Sequence, residues 1–223
     1  MAEIKIYGAG ASNYVRTVRL ACEEKGVAYD LVPVGDNTPG ALKSVEHFAR
    51  HPFGRIPVME HGDFRLFESM AISRYIDEAF DGPALQPKDV AERARMTQWI
   101  SATQDYLISS MIGGNVRHFV FPKTADGKPD MAAIEEGRPL VREHILILEK
   151  ALEGRTVLAG DDVSLADLLL LPVLHYLGAM PGGMAFFEGC DNLYRWWEHM
   201  TCRPSFAATT PDNLRQEEQR AAS

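Results

Sequence analysis

The residues with the most chemical potential fall in two neighbouring stretches, His51-Pro52-Phe53-Gly54-Arg55-Ile56-Pro57-Val58 and Phe67-Glu68-Ser69. Between them, two apolar runs, Ile56 to Met59 and Phe64 to Phe67, flank the turn Glu60-His61-Gly62-Asp63. Two such runs around a glycine-containing turn read as a β-hairpin. Pro57 has no N–H for a sheet ladder, so it marks a sheet edge or a cis turn. A cis Ile56-Pro57 bond turns the Ile56 N–H and C=O outward, where an extended peptide pairs with them as an added strand. Glu68-Ser69 precedes an apolar-periodic segment and places a carboxylate, a hydroxyl and free backbone N–H groups at a helix start. A peptide-backbone clamp beside a carboxylate-binding helix end suits a small acidic peptide.

The elements that must position these groups follow from periodicity. Ile4 to Tyr7 alternates as a short strand, and Ser12 or Asn13 can cap the helix that follows. Val15, Val18 and Cys22 share one face of that helix, with Arg16, Arg19 and Glu23 elsewhere, and Gly26 sits where it ends. Val27 to Val34 reads as a second strand, parallel to the first because a helix connects them. Asp36 to Gly40 is a turn-rich loop, and Ala41 to Arg50 a modest helix stopped before Pro52. The hairpin and a helix from Ser69 to about Phe80 complete a β-α-β-α-β-β-α order, best satisfied by a four-stranded mixed sheet. Asp81 to Pro87 breaks the pattern and reads as a linker. Beyond it only helical patterns are found: Val90 to about Arg117, with Gly113-Gly114 as an end or kink, then Met131 to Leu152, Ser164 to Leu177 and Asn192 to Met200. Ser164 to Leu177 is apolar nearly all round and is expected as a buried central helix, started by the capping box Ser164-Leu165-Ala166-Asp167. Pro204 onward trails off, and Arg215 to Ser223 is polar and loose. The domains expected are therefore 1–80, a linker over 81–89, and an all-helical 90–223.

Composition narrows the partners. The chain has 223 residues with 46% hydrophobic and 24% charged, enough for two cores in a soluble globular protein. A net charge of −8 speaks against a nucleic-acid surface, which needs clustered cations. The start of the chain lacks the basic-then-apolar pattern of a signal peptide. Leu168 to Leu174 is the longest strongly apolar run, is too short for a bilayer and carries Pro172, so no membrane role is expected. The three cysteines, Cys22, Cys190 and Cys202, form neither a CxxC nor a metal spacing, which fits buried thiols in a reducing cytoplasm. His47 and His51 stand four apart, a metal spacing on a helix, but Pro52 disturbs that turn and no third ligand accompanies them, so no metal is expected.

Taken together, Ile6-Tyr7-Gly8 with Ser12, His51 to Pro57, Phe67-Glu68-Ser69 with Ala71-Ile72, Val163 to Asp167 and Arg203-Pro204-Ser205-Phe206 resemble the soluble glutathione transferases. The resemblance covers nearly the whole chain and is closest to the serine-type classes, in particular a phi/theta-like, bacterial-style member. It implies a thioredoxin-like N-terminal domain, an all-α C-terminal domain and a cytoplasmic homodimer, with Phe53 an apolar key for a partner subunit. It further implies glutathione as cosubstrate and a hydrophobic electrophile as second substrate. Isomerisation, dehalogenation, peroxide reduction or a non-catalytic binding role are the alternatives on the same fold.

Residue by residue, the resemblance assigns Ser12 to the thiol. Glutathione binding falls to Ser12, Lys43, Arg55, Ile56, Pro57, Glu68 and Ser69: Ile56 for the cysteinyl backbone, Ser69 for the γ-glutamyl carboxylate, Glu68 for the ammonium, Lys43 and Arg55 around the glycyl carboxylate. The phi pattern usually carries glutamine where Arg55 stands and histidine where Leu42 stands. Tyr7 is the rival to Ser12, since some classes use a tyrosine at the end of the first strand. Asn13 and Tyr14 flank the serine. No cysteine occupies Gly8 to Tyr14, which disfavours disulfide exchange. An electrophile pocket is expected from Tyr14, Tyr106, Ser110, Met111, Asn115, His118 and Phe119.

Overall fold

The computed structural model describes residues 3–35, 40–212 and 214–215. The expected loop over Asp36 to Pro39 and most of the C-terminal stretch from Arg215 lie outside the described residues. Two compact units emerge: one runs to Leu85 and takes in the chain from Cys202 on, and the other spans Gln86–Thr201. The first boundary falls inside the expected linker. The second was not expected, because the end of the chain groups with the N-terminal unit rather than the helical one.

In the first unit, β1 (Ile4–Tyr7) pairs in parallel with β2 (Tyr29–Val32) and antiparallel with β3 (Val58–His61), which pairs with β4 (Phe64–Phe67). The sheet order is β2-β1-β3-β4, the four-stranded mixed sheet that the periodicity predicts. The hairpin turn is two residues, Gly62 and Asp63, with Gly62 at φ +57, the position where a hairpin turn favours glycine. The helices are α1 (Asn13–Lys25), α2 (Val45–Arg50) and α3 (Ser69–Ala79). Helices α1 and α3 pack together, and Ile4, Ile6, Val15, Val18, Met59, Ile72 and Ile76 are fully buried. Ser12 caps α1, and Gly26 ends it at φ +68 with its N–H on the last carbonyls. The expected helix from Ala41 to Arg50 is broken: a 3-10 turn (Ala41–Lys43) precedes α2, because the Ser44 hydroxyl accepts from the His47 N–H and restarts the helix there.

Pro204 onward does not trail off. It forms α9 (Pro204–Thr209), which packs on α1 with proline in its first turn. That packing explains why Arg16 and Thr17 are fully buried although the sequence puts Arg16 on the polar side of α1.

The second unit is wholly helical among the described residues. The expected helix from Val90 to Arg117 is three segments wound end to end: α4 (Val90–Ala102), a π-helical stretch (Thr103–Val116) and α5 (Arg117–Val120). Gly113-Gly114 neither ends nor kinks it. The close approach to α6 (Met131–Ala151) is made by Gly137, where a Cβ would stand 2.8 Å from the Gly114 carbonyl and 2.7 Å from Asn115 Nδ2. Helix α7 (Leu165–Gly178) is buried from Leu165 through His175, as its all-round apolarity requires. Asp167 is the polar hub of this core. It accepts from the Ser164 N–H at 2.9 Å, the Ser164 hydroxyl at 2.8 Å, the Leu158 N–H at 2.9 Å and Trp196 Nε1 of α8 (Asp191–Thr201) at 2.8 Å. Burial pushes the Asp167 carboxyl above its ordinary range, while these donors pull it down. At the start of α4, Glu92 receives Arg155 through two bonds of 3.2 and 3.1 Å and the Gly160 N–H at 2.8 Å. Among the described residues no helix is long and apolar enough to cross a membrane.

Candidate active site

The site is built around the loop between α2 and β3. His47 is buried and donates from Nε2 to the Arg55 carbonyl at 2.8 Å. His51 is buried too; its Nδ1 accepts the Phe53 N–H at 3.2 Å, and its carbonyl accepts the Gly54 N–H at 2.9 Å. His47 Nε2 and His51 Nδ1 are therefore spent on folding this loop. Burial, first of all, lowers the His51 pKa, while the Glu68 carboxylate opposes it. Among the described residues no group of three or more His, Cys, Asp or Glu could hold a metal ion. Gly54 stands at φ +57, and a Cβ there would lie 2.5 Å from the Leu42 carbonyl. Only glycine lets the 3-10 turn bearing Lys43 come this close. The Lys43 ammonium reaches the Phe53 carbonyl at 3.4 Å and lies over the Phe48 ring.

Next in the loop, the Ile56-Pro57 bond is cis. Among the described residues neither the N–H nor the C=O of Ile56 has a backbone partner. Ile56 is half-buried, Pro57 buried and Arg55 exposed. A Cβ on Gly8 would meet Ile56 Cβ at 3.3 Å and Val15 Cγ2 at 2.4 Å. That glycine lets the exit of β1, the start of α1 and Ile56 converge.

Ser12 is half-buried and extended at φ −70, ψ 127. Its Oγ accepts from the Val15 N–H at a long 3.5 Å, and no acidic side chain stands in the first turn. The hydroxyl stands at the positive end of α1, where first-turn N–H groups favour a nearby anion. Tyr7 is placed very differently. Its hydroxyl donates to Glu60 Oε2 at 2.7 Å, Arg50 covers its ring, and the side chain is buried. Burial, then the hydrogen bond to Glu60, raises its pKa.

Across the loop, Glu68 is exposed and is the one described non-glycine residue with positive φ, at φ 71, ψ 113. Such a conformation costs about 1–3 kcal/mol and concentrates at functional sites. It leaves the N-terminus of α3 without a side-chain cap, with Ser69 buried as its first residue. The first N–H groups of α3 are thus free for an anion. Tyr14 ties the two sides together: burial raises its pKa, Arg55 lowers it and Glu68 raises it, so its phenol lies within electrostatic range of both. Ser12, Tyr14, Lys43, Arg55, Ile56, Pro57, Glu68 and Ser69 all belong to the first unit.

The remaining residues expected at an electrophile pocket belong to the second unit. Tyr106 is exposed, and His118 and Phe119 are half-buried. Met111 and Asn115 are a correction: both are 0% exposed. Asn115 donates to the Ser110 carbonyl at 3.3 Å, and the Ser110 hydroxyl is bonded to His144 Nδ1 at 2.7 Å. These side chains serve the helical core. The π-helical winding redirected them, which a 3.6-residue period does not anticipate. An open cavity of about 420 Å³ in the second unit is lined by Glu92, Gly154, Arg155, Thr156, Gly160 and Asp161, none of them selected from the sequence. The structure also adds residues that the sequence did not single out for the site: Glu60 as the partner of Tyr7, the two histidines as loop formers, and Gly8 and Gly54 as points of close approach. The only sequence signals were a serine ahead of His47 and glycines within the motif.

Comparison with known proteins places this arrangement. Residues 6–84 match the family described as Glutathione S-transferase, N-terminal domain, and residues 100–204 match Glutathione S-transferase, C-terminal domain. The chain is 32% identical over 202 residues to Glutathione S-transferase 4 of Zea mays, covering 91% of this chain and 89% of that one. It is similar to the solved structure of maize glutathione S-transferase I in complex with an atrazine glutathione conjugate, with TM-score 0.83, 29% identity and coverage of 93% and 96%. It is also similar to a theta class glutathione S-transferase from Xanthomonas axonopodis pv. citri with glutathione bound, with TM-score 0.80, 26% identity and coverage of 94% and 97%.

Proposed function

Because the chain belongs to the glutathione S-transferase family, we propose that it conjugates the glutathione thiolate to a hydrophobic electrophile, with Ser12 stabilising the thiolate. The observation that carries this reading is the contrast between two hydroxyls. The Ser12 hydroxyl, at the N-cap of α1, is engaged only as the acceptor of one long bond from the Val15 N–H, whereas the Tyr7 proton is already given to Glu60. A free thiol near pKa ~8.5 is only a few per cent ionised at neutral pH. Full ionisation raises the thiolate about 30-fold, or about 2 kcal/mol. One hydrogen bond to a charged group contributes about 1.5–3 kcal/mol, so a single hydroxyl helped by the helix end suffices.

The tripeptide would lie along Ile56, its γ-glutamyl carboxylate on Ser69 and the free N–H groups of α3, its ammonium on Glu68. Lys43 and Arg55 would meet the glycyl carboxylate, and Pro57 would fix the bend. The strained Glu68 backbone supports this, since such conformations concentrate at functional sites and Glu68 directly precedes α3. Tyr14, in the first unit, is proposed as an electrophile contact. Catalysis is then thiolate stabilisation plus proximity. A serine-type, phi-like class, a cytoplasmic setting and a homodimer using Phe53, which is 64% exposed, belong to the same reading.

The test compares Ser12→Ala with Tyr7→Phe in turnover of a chloronitroarene. Ser12→Ala should lose most conjugating activity, about 30-fold or more at neutral pH, while Tyr7→Phe retains it. The reverse order would overturn the assignment.

A further inference from the structure

Helix α1, which presents Ser12, is gripped from behind by the returning C-terminal segment. Arg16 is fully buried; its Nε donates to Thr209 Oγ1 at 3.3 Å, its Nη2 to Thr210 Oγ1 at 3.0 Å, and its guanidinium lies over the Phe206 ring at 4.9 Å. Arg19 donates to the Thr209 carbonyl at 3.3 Å and to the Ala208 carbonyl at 3.1 Å. Glu24 accepts Arg203 through Nε at 2.7 Å and Nη2 at 2.5 Å, and also accepts the Ser205 hydroxyl. These three side chains hold α1 at successive points along its length.

A buried guanidinium is a costly way to fill space, since apolar residues of similar volume often pack as well or better. What it adds is direction. Apolar packing lets a helix slide or turn by small amounts, whereas several angle-dependent bonds fix both. The fixed point is close to the chemistry, because the Arg16 N–H donates to the Ser12 carbonyl at 2.9 Å.

We propose that Arg203 to Thr210 is a strap that sets the rotation and axial position of α1, and that Arg16 is a positioning residue for the Ser12 hydroxyl. This rests on the reading that Ser12 stabilises the thiolate. A hydroxyl displaced by a fraction of an ångström loses most of its bond to sulfur. The other glutathione contacts lie on α3, on the loop before β3 and on the 3-10 turn, which the strap does not hold. Slackening it should therefore raise the pKa of the bound thiol while leaving glutathione affinity nearly intact.

The experiment uses the full chain with Thr209→Val/Thr210→Val, Arg16→Met and, as conservative rescues, Thr209→Ser/Thr210→Ser and Arg16→Lys. Folding is checked by urea unfolding, glutathione affinity by calorimetry, and the thiol pKa by the pH dependence of kcat/KM toward a chloronitroarene. For the threonine-to-valine pair, the profile should move up by about one pH unit. The rate at neutral pH should fall about tenfold and recover in alkali, with affinity within about twofold of the parent. The serine pair should restore the parent profile, so Arg16→Met need not fold for the question to be answered. An unmoved profile in the folded valine pair overturns the proposal, whether activity is retained or falls evenly at every pH. Ser12→Ala is measured alongside. An unmoved profile there sinks the Ser12 reading and the strap with it, whereas a moved one there beside unmoved strap variants sinks the strap alone.

Discussion

Two glycines of the first unit offer a controlled measurement of what the loop between α2 and β3 requires. Gly54 and Gly62 share φ +57, yet a Cβ on Gly62 meets nothing within 4 Å, while one on Gly54 falls 2.5 Å from the Leu42 carbonyl and 3.2 Å from Lys43 Nζ. Gly62→Ala therefore incurs only the left-handed backbone cost, about 1–2 kcal/mol. Gly54→Ala incurs that and a backbone clash, which adds about 1–3 kcal/mol by analogy with overpacked cores. With a urea m-value of about 2–3 kcal/mol/M, the two midpoints should differ by roughly 0.3–1.5 M. The clash can be relieved only by moving the turn that carries Lys43. Weakening a charge-assisted contact by about 1.4 kcal/mol makes glutathione binding about tenfold weaker. Calorimetry should show this for Gly54→Ala and parent affinity for Gly62→Ala. Equal midpoints would refute the close-approach argument. A destabilised Gly54→Ala that binds glutathione as the parent does would remove Lys43 and its turn from the binding site.

Two further outcomes are expected in the second unit. The Arg155 hydrogen bonds, first of all, hold the Glu92 carboxyl down to about 2 from its ordinary 4.5. Its stabilising effect is therefore fully present above about pH 4.5 and is lost as the pH falls through about 2. Glu92→Gln should thus unfold more easily than the parent at neutral pH, with the gap closing in acid; a gap independent of pH would refute the assignment. Asp167→Ala strands the Leu158 and Ser164 N–H groups and Trp196 Nε1 in the core. It should cost about 3–5 kcal/mol in chemical denaturation followed by tryptophan fluorescence, and a loss below about 1 kcal/mol would contradict the hub role.

Much of this structure is legible from local pattern. The parallel β1-α1-β2 unit, the hairpin, the Ser12 cap, the Ser164-Asp167 box and the buried α7 each follow from residues close together in sequence, where period and capping chemistry act directly. The rest depends on what distant segments cover. Arg16 reads as solvent-facing because nothing near it reveals that Thr209 and Thr210 will receive it. Met111 and Asn115 read as pocket lining because a 3.6-residue count fails where the helix is wound with wider turns. His47 and His51 are set aside as metal ligands from the sequence, but their actual partners are a loop carbonyl and a loop N–H whose positions exist only once the loop closes. For the candidate site, Tyr7 and Ser12 could be ranked from sequence only by family pattern. Glu60, which occupies the phenol, is brought to Tyr7 by strand pairing.

The return of α9 to α1 also bears on how the chain is made. Arg16 and Thr209 are 193 residues apart. At about 5–20 residues per second of synthesis, the partners of that guanidinium emerge from the ribosome roughly 10–40 s after the arginine itself. A nascent N-terminal unit cannot finish its own interior while it is being translated. Its last polar seats stay open until the helical unit has been threaded out behind it, and a prematurely terminated product would lack the two threonine hydroxyls that receive the Arg16 guanidinium.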